Sequence, residues 1–182
     1  VFKTVARKDD HEAMERYPAA EPLLRRALAI DERVLGPEHP EVAGTLDALA
    51  TIERLQGRYG DAEMQSRRAL AIREKVLGPD HVDVAASLTT LAALYRIQSR
   101  YVEAEQLAQR ALAIREKALG PEHPEVIGPL VTLGELHAEQ GRFAQAEPLG
   151  RRAFTVAEKA LGPGHPEVTG ALDLLAGLAR TR

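Results

Sequence analysis

The chain of 182 residues contains no cysteine, which excludes a disulfide framework and thiolate chemistry without fixing a compartment. It has no excess of one charge either. Its 24 Lys+Arg against 27 Asp+Glu leave a net charge of -3, so both the basic footprint that nucleic acid requires and a polybasic membrane signal are missing. No apolar run approaches the length of a membrane-spanning helix, and no signal-like stretch with a cleavage site opens the chain. A cytoplasmic location is the default that follows, with protein as the remaining partner class. Ser66, Ser87 and Ser99 lack a nucleophile motif, and there is no phosphate-cradling glycine loop or dinucleotide fingerprint. No enzyme activity and no cofactor are therefore expected. Because the sequence opens on Val1 rather than Met, a processed product or a fragment is expected.

What the sequence does have is repetition. Leu35-Gly36-Pro37-Glu38-His39-Pro40 returns at Leu77, Leu119 and Leu161, which sets His39, His81, His123 and His165 42 residues apart. A second landmark keeps the same step: Arg16-Tyr17, Arg58-Tyr59, Arg100-Tyr101 and Arg142-Phe143 each precede an Ala-Glu pair. Two landmarks in fixed phase indicate an array whose units bury their apolar faces only against neighbours. In such an array, function belongs to a surface rather than a pocket.

Each unit reads as two helices. Val84, Leu88, Leu91, Ala92 and Leu94 recur at helical spacing, Gln98-Ser99-Arg100 interrupts them, and Ala104, Leu107, Ala108, Ala111 and Ile114 resume the period. Leu-Gly-Pro supplies the stop, with glycine expected in a left-handed C′ position and proline beyond it. Pro40, Pro124 and Pro166 suit the first turn of the next helix. Helices are expected near 18–35, 40–56, 60–77, 83–98, 102–119, 125–140, 144–161 and 167–180, with a kink or late start at Gly128-Pro129. This gives a degenerate or frayed segment 1–13, a half unit 14–39, full units 40–81, 82–123 and 124–165, and a half unit 166–182.

The histidines invite a metal reading. Four of them sit in successive interhelix loops about 10 Å apart, too far to share an ion bound at about 2 Å. Repetition at structural junctions favours a loop-fixing hydrogen bond, and no metal site is expected. The column Tyr17, Tyr59, Tyr101 and Phe143 is expected to seal the hairpin turns rather than to bind.

Leu88-x2-Leu91-Ala92-x2-Tyr95, followed by Ala104 and Ala111, resembles the tetratricopeptide pattern with Leu in place of Trp. The usual tetratricopeptide unit is about 34 residues, so roughly eight more extend the second helix by about two turns, or 12 Å. The run Ala-Leu-Ala-Ile-Arg-Glu-Lys-x-Leu-Gly-Pro-Glu-His-Pro is similar to the repeats of kinesin light chains and their bacterial relatives. The resemblance covers about residues 14–182. It implies an all-α fold, a right-handed superhelical solenoid of antiparallel helix hairpins whose first helices line a concave groove.

The inward positions that the resemblance implies are Gly44, Asp47, Thr51 and Arg54, then Ala86, Thr89, Ala93 and Arg96. They continue as Gly128, Val131, Glu135 and Ala138, and end with Gly170, Asp173, Gly177 and Arg180. Of these, Asp47, Thr51, Arg54, Thr89, Arg96, Val131, Glu135, Asp173 and Arg180 form the candidate peptide-binding set. Arg54, Arg96 and Arg180 make an interrupted row suited to carboxylates, or else to pairing with nearby Asp and Glu. The asparagine pairs that the family often carries are replaced by Asp47-Ala48, Thr89-Thr90, Val131-Thr132 and Asp173-Leu174, so no asparagine clamp carries over.

The expected function is a non-catalytic scaffold that binds a peptide or protein segment, with an acidic one favoured by the arginine row. The alternative is a regulatory repeat segment of a larger signalling protein that restrains an effector such as a caspase-like protease or a nucleotide-binding module. Leu172, Leu175 and Leu178 correspond to Leu46, Leu49 and Ile52, and Leu174 adds an apolar residue. The C-terminal helix is thus expected to present a bare face for further repeats or for self-association.

Overall fold

The turn sequence Leu-Gly-Pro fixes where the helices end. Gly36, Gly78, Gly120 and Gly162 hold φ of 93°, 89°, 95° and 83°. At Gly120 and Gly162 the ψ values are 157° and 161°. These two glycines therefore lie in an extended region open to little besides glycine, rather than in the left-handed helical basin expected of a C′ glycine. Three residues on, His39, His81, His123 and His165 accept on Nδ1 a hydrogen bond from the backbone N–H two residues later, at 3.2, 3.2, 3.3 and 3.3 Å. Histidine here does the capping work usually given to Asn, Asp or Ser.

The computed structural model describes residues 8–180, with side chains from Ala20 onward. Among the described residues there are eight α-helices: α1 (Lys8–Leu35), α2 (Pro40–Leu55), α3 (Tyr59–Leu77), α4 (Val82–Ile97), α5 (Tyr101–Leu119), α6 (Ile127–Glu139), α7 (Phe143–Leu161) and α8 (Pro166–Arg180). A 3-10 turn, Pro124–Val126, precedes α6. Pro129 therefore falls in the first turn of α6, where an N–H has no partner to lose, and this is the late start expected there. Of the expected degenerate segment, residues 1–7 lie outside the described residues, while 8–13 are continuous with α1. Pro148 inside α7 has no counterpart among those expectations; it sits one turn in on an exposed position.

The chain forms two compact units, one up to Val76 and one from Leu77. In the first, Leu46 of α2 is wholly buried with Val42 and Ala43 against Ala69 and Ile72 of α3, and Leu28 of α1 packs on them. In the second, Leu130 of α6 is wholly buried against Ala153, Val156 and Ala157 of α7, with Val168 and Ala171 of α8 alongside. Leucine on the first helix against alanine on the second lets the hairpin close tightly, and each such leucine contributes about 1.5–3 kcal/mol.

The first three of these four loops are also tied from the following second helix. Lys75 pairs with Glu38, Lys117 with Asp80 at 2.9 Å and Lys159 with Glu122 at 2.5 Å. Arg68, Arg110 and Arg152 donate to the carbonyls of Pro37, Pro79 and Pro121 at 3.3, 2.9 and 3.0 Å.

The C-terminal helix differs from its expected picture. Leu174 and Leu178 are buried, clustered with Ala146. Leu174 fills the space above Gly134, where a Cβ would stand 2.5 Å from its Cδ2. Only Leu172 stands well out, 45% exposed against 0% for Leu46, Leu88 and Leu130. The bare face is therefore centred on Leu172 rather than on Leu174 and Leu178.

Candidate functional site

A helix that buries every third or fourth residue leaves the positions between them accessible. Thr89, Ala93 and Arg96 of α4 and Gly128, Val131, Glu135 and Ala138 of α6 are all half-buried, while the Leu88, Leu94, Leu130 and Leu136 that alternate with them are sealed. Asp173 and Arg180 on α8 are exposed, as is Thr51 on α2; Asp47 and Arg54 are half-buried. The phase deduced from the repeat thus leaves all nine candidate residues accessible on the first helices.

The charges on this face are largely committed to one another. Arg96 pairs with Glu135 at 3.0 Å and also with Glu139, both on α6. Burial pushes the Glu135 carboxyl up, Arg96 offsets this, and Glu139 adds to it. Asp47 pairs with Arg73 of α3, and burial likewise raises its pKa. Arg54 makes no ion pair among the described residues, and Arg180 turns its Nε back to the Ala176 carbonyl at 3.2 Å. Arg54, Arg96 and Arg180 are therefore not alike, and Arg54 is the one without an ion pair or a side-chain hydrogen bond among the described residues.

Sequence reading missed Arg73, Arg115 and Glu139. Arg115 is the α5 counterpart of Arg73, but Thr89 stands in the repeat position of Asp47, and Arg115 donates instead to the Glu125 carbonyl at 2.6 Å. The signal was present in the recurring Ile-Arg-Glu-Lys of the extended second helices.

One repeat position of the first helices is buried each time it recurs among the described residues of α2, α4 and α6. Glu53, Tyr95 and His137 share one repeat position and are 0%, 3% and 8% exposed. The arginine five residues later closes each turn: Arg58, Arg100 and Arg142 donate backbone N–H to the carbonyls of Glu53, Tyr95 and His137 at 2.8, 2.9 and 2.8 Å. Side chains then adapt to what stands there. Arg100 stacks 3.9 Å from the Tyr95 ring centroid, Arg25 meets Glu53 at 2.9 Å, and Arg142 meets Glu105 beside His137 at 2.7 Å. Arg58 bonds Glu21 at 2.6 Å and holds its carboxyl down to about 2.

His137 is the member expected to respond just below neutral pH. Burial lowers its pKa, the Arg142 charge lowers it further, and Glu105 opposes both. A depressed folded pKa means that this position's stability is complete above the ordinary value, about 6.5, and is lost as pH falls from there through the lowered folded value. His137→Tyr, which restores the residue type of Tyr95, is expected to flatten the fall in urea midpoint between about pH 7.5 and about pH 5.5. An equal fall in parent and variant would assign the dependence to other groups.

In the second unit, α7 and α8 form an open groove of about 560 Å³ lined by Phe154, Leu172, Leu175 and Leu178. Among the described residues no helix is long and apolar enough to cross a membrane, and no group of three His, Asp or Glu could hold a metal ion.

Comparison with known proteins agrees with this architecture. The family model for the tetratricopeptide repeat matches residues 6–75, 41–117 and 83–159. Among solved structures, the chain is similar to a single-substitution form of a putative kinesin light chain from Podosopora anserina with nearly identical TPR-like repeats. They are 26% identical with a TM-score of 0.74, over 95% of this chain and 84% of that one. A second structure of the Podosopora protein is 24% identical with a TM-score of 0.69, over 98% and 96%. BtubC (BKLC) from P. vanneervenii is 22% identical with a TM-score of 0.77, over 90% of this chain and 65% of that one. No curated relative matches the sequence. Tetratricopeptide repeats generally mediate protein–protein interaction. With its 42-residue hairpins, its turn chemistry and these likenesses, the chain belongs to the tetratricopeptide repeat family, an all-α solenoid of helix hairpins of the kinesin light chain-like type.

Proposed function

We propose that the protein is a non-catalytic interaction scaffold that captures a peptide or protein segment along the accessible face of its first helices. The observation that carries this reading is the regular alternation on α2, α4 and α6: sealed leucines alternate with small or polar residues, leaving a low floor of Gly, Ala and Thr between charged flanks. A preformed floor lowers the ordering cost on one side of the complex. The preference for an acidic segment rests on Arg54. Arg96 already faces two carboxylates, so a ligand carboxylate must displace one of them, whereas Arg54 has none to displace among the described residues. The exposed Leu172 face of α8 is a second contact surface, suited to association between copies.

Fluorescence anisotropy with matched acidic and basic peptide pools tests the groove. Acidic peptides are expected to bind more tightly, and the preference should weaken as salt shortens the screening length below about 10 Å. Arg54→Glu should abolish that preference. Equal binding of both pools, or an unaltered preference in Arg54→Glu, would remove the acidic reading.

A further inference from the structure

We infer that Glu135 and Glu139 are specificity-determining residues of the proposed groove: they occupy Arg96 as a ligand's carboxylate would, and so close the α4–α6 stretch to acidic side chains. The inference rests on the reading of the first-helix face as a binding surface and lies wholly within the second unit. A guanidinium takes a carboxylate either end-on, through Nη1 and Nη2, or side-on, through Nε and one Nη. Both approaches are closed at Arg96. Nη2 holds Oε2 of Glu135 at 3.0 Å and Nη1 holds Oε1 of Glu139, while Nε is buried without a hydrogen-bond partner among the described residues. Two carboxylates on one cation also leave negative charge in excess, so an incoming carboxylate meets repulsion as well as a filled fork. Burial raises the Glu135 carboxyl, Arg96 counters it and Glu139 adds to the rise, in keeping with that excess.

Neither glutamate belongs to the repeat. Thr51, Ala93 and Gly177 stand at the Glu135 position, and Leu55 and Ile97 at the Glu139 position. Both departures fall on α6, four residues apart and so on one side of the helix, and both meet the same cation of α4. Packing does not require them. Leu88, Leu94, Leu130 and Leu136 are already sealed, and ion pairs as accessible as these, with glutamate side chains 36% and 39% exposed, contribute little to stability. Their consequence is for what the face accepts: the acidic preference is left to Arg54, and Arg96 is withheld from it by residues of its own chain.

Fluorescence anisotropy on the 182-residue chain with the acidic and basic peptide pools tests it. Glu135→Gln with Glu139→Gln should tighten binding of the acidic pool about tenfold, and adding Arg96→Gln should remove the gain. In the Arg54→Glu background, where the acidic preference is expected to be lost, the same two changes should bring it back. Glu158→Gln with Glu167→Gln, exposed on α7 and α8, shifts net charge equally and should give no such gain. Urea midpoints of the glutamine variants should stay near the parent's while affinity moves, which a purely structural tie would not allow. An acidic preference that appears only in the double glutamine variant would support the inference even if Arg54 carries none. A parent that prefers the acidic pool beside a double glutamine variant that binds it no more tightly would overturn the inference and leave the groove standing. So would a gain that survives Arg96→Gln or is matched by Glu158→Gln with Glu167→Gln. Failure of every variant to bind either pool would overturn the groove reading and this inference together.

Discussion

Gly120→Ala is expected to lower stability by about 1–3 kcal/mol, the range for a side chain forced into a backbone region that only glycine populates freely. Its φ of 95° with ψ of 157° is the cause, because nothing lies within 4 Å of an added Cβ. The cost is therefore conformational and cannot be relieved by repacking. Because Gly120 joins α5 to α6, the loss should lower the urea midpoint of both flanking hairpins together. Ser99 supplies the opposite sign. It holds φ 60° at the turn where Gly57 and Gly141 hold 75° and 71°, so Ser99→Gly is expected to raise stability by about 0.5–1 kcal/mol. Parent-like unfolding of Gly120→Ala, or a destabilised Ser99→Gly, would show that these turns do not carry the strain that their angles imply.

The second large effect lies at Leu174. Leu174→Ala is expected to cost about 2–4 kcal/mol, since it empties the space above Gly134 and Gly150. Gly134→Ala alone gains helix propensity of about 1 kcal/mol but sets its Cβ 2.5 Å from the Leu174 Cδ2, so that leucine must turn aside. Combining Gly134→Ala with Leu174→Thr restores the pairing of the preceding unit, Ala92 with Thr132, and should be more stable than the two single changes sum to. The cycle is expected to show coupling of about 0.5–3 kcal/mol. Strict additivity of the two changes would mean that the leucine does not occupy the glycine's space in solution.

These two sites mark the limit of what the sequence discloses. The Leu-Gly-Pro stops, the histidine junctions and the first-helix leucines are local signals with a fixed period, and they placed nearly every helix within a residue or two. The accessible positions followed from the same phase. Partners across helices did not follow, because the residue that meets Arg96 lies 43 positions away and is chosen by rotamer and distance. The same holds for Asp47 with Arg73 and for Leu174 with Gly134, where one departure from the repeat compensates another on a different helix. Glu53, Tyr95 and His137 share a repeat position without sharing a chemistry, and what the three have in common is the backbone N–H of the arginine five residues on, which closes each turn.

The ties between each loop and the next second helix bear on how such an array can change over time. Lysine and arginine reach the loop from a helix 31 to 37 positions later, and losing one residue between them would swing those side chains about 100° around the helix. A short insertion or deletion in the extended second helix therefore unfastens the loop as well as shifting its own apolar stripe. Each tie joins one unit to the loop that ends the unit before, so gain or loss of a whole 42-residue unit sets an equivalent cation on an equivalent loop. The lineage of this protein is thus free to vary in repeat number while repeat length stays locked.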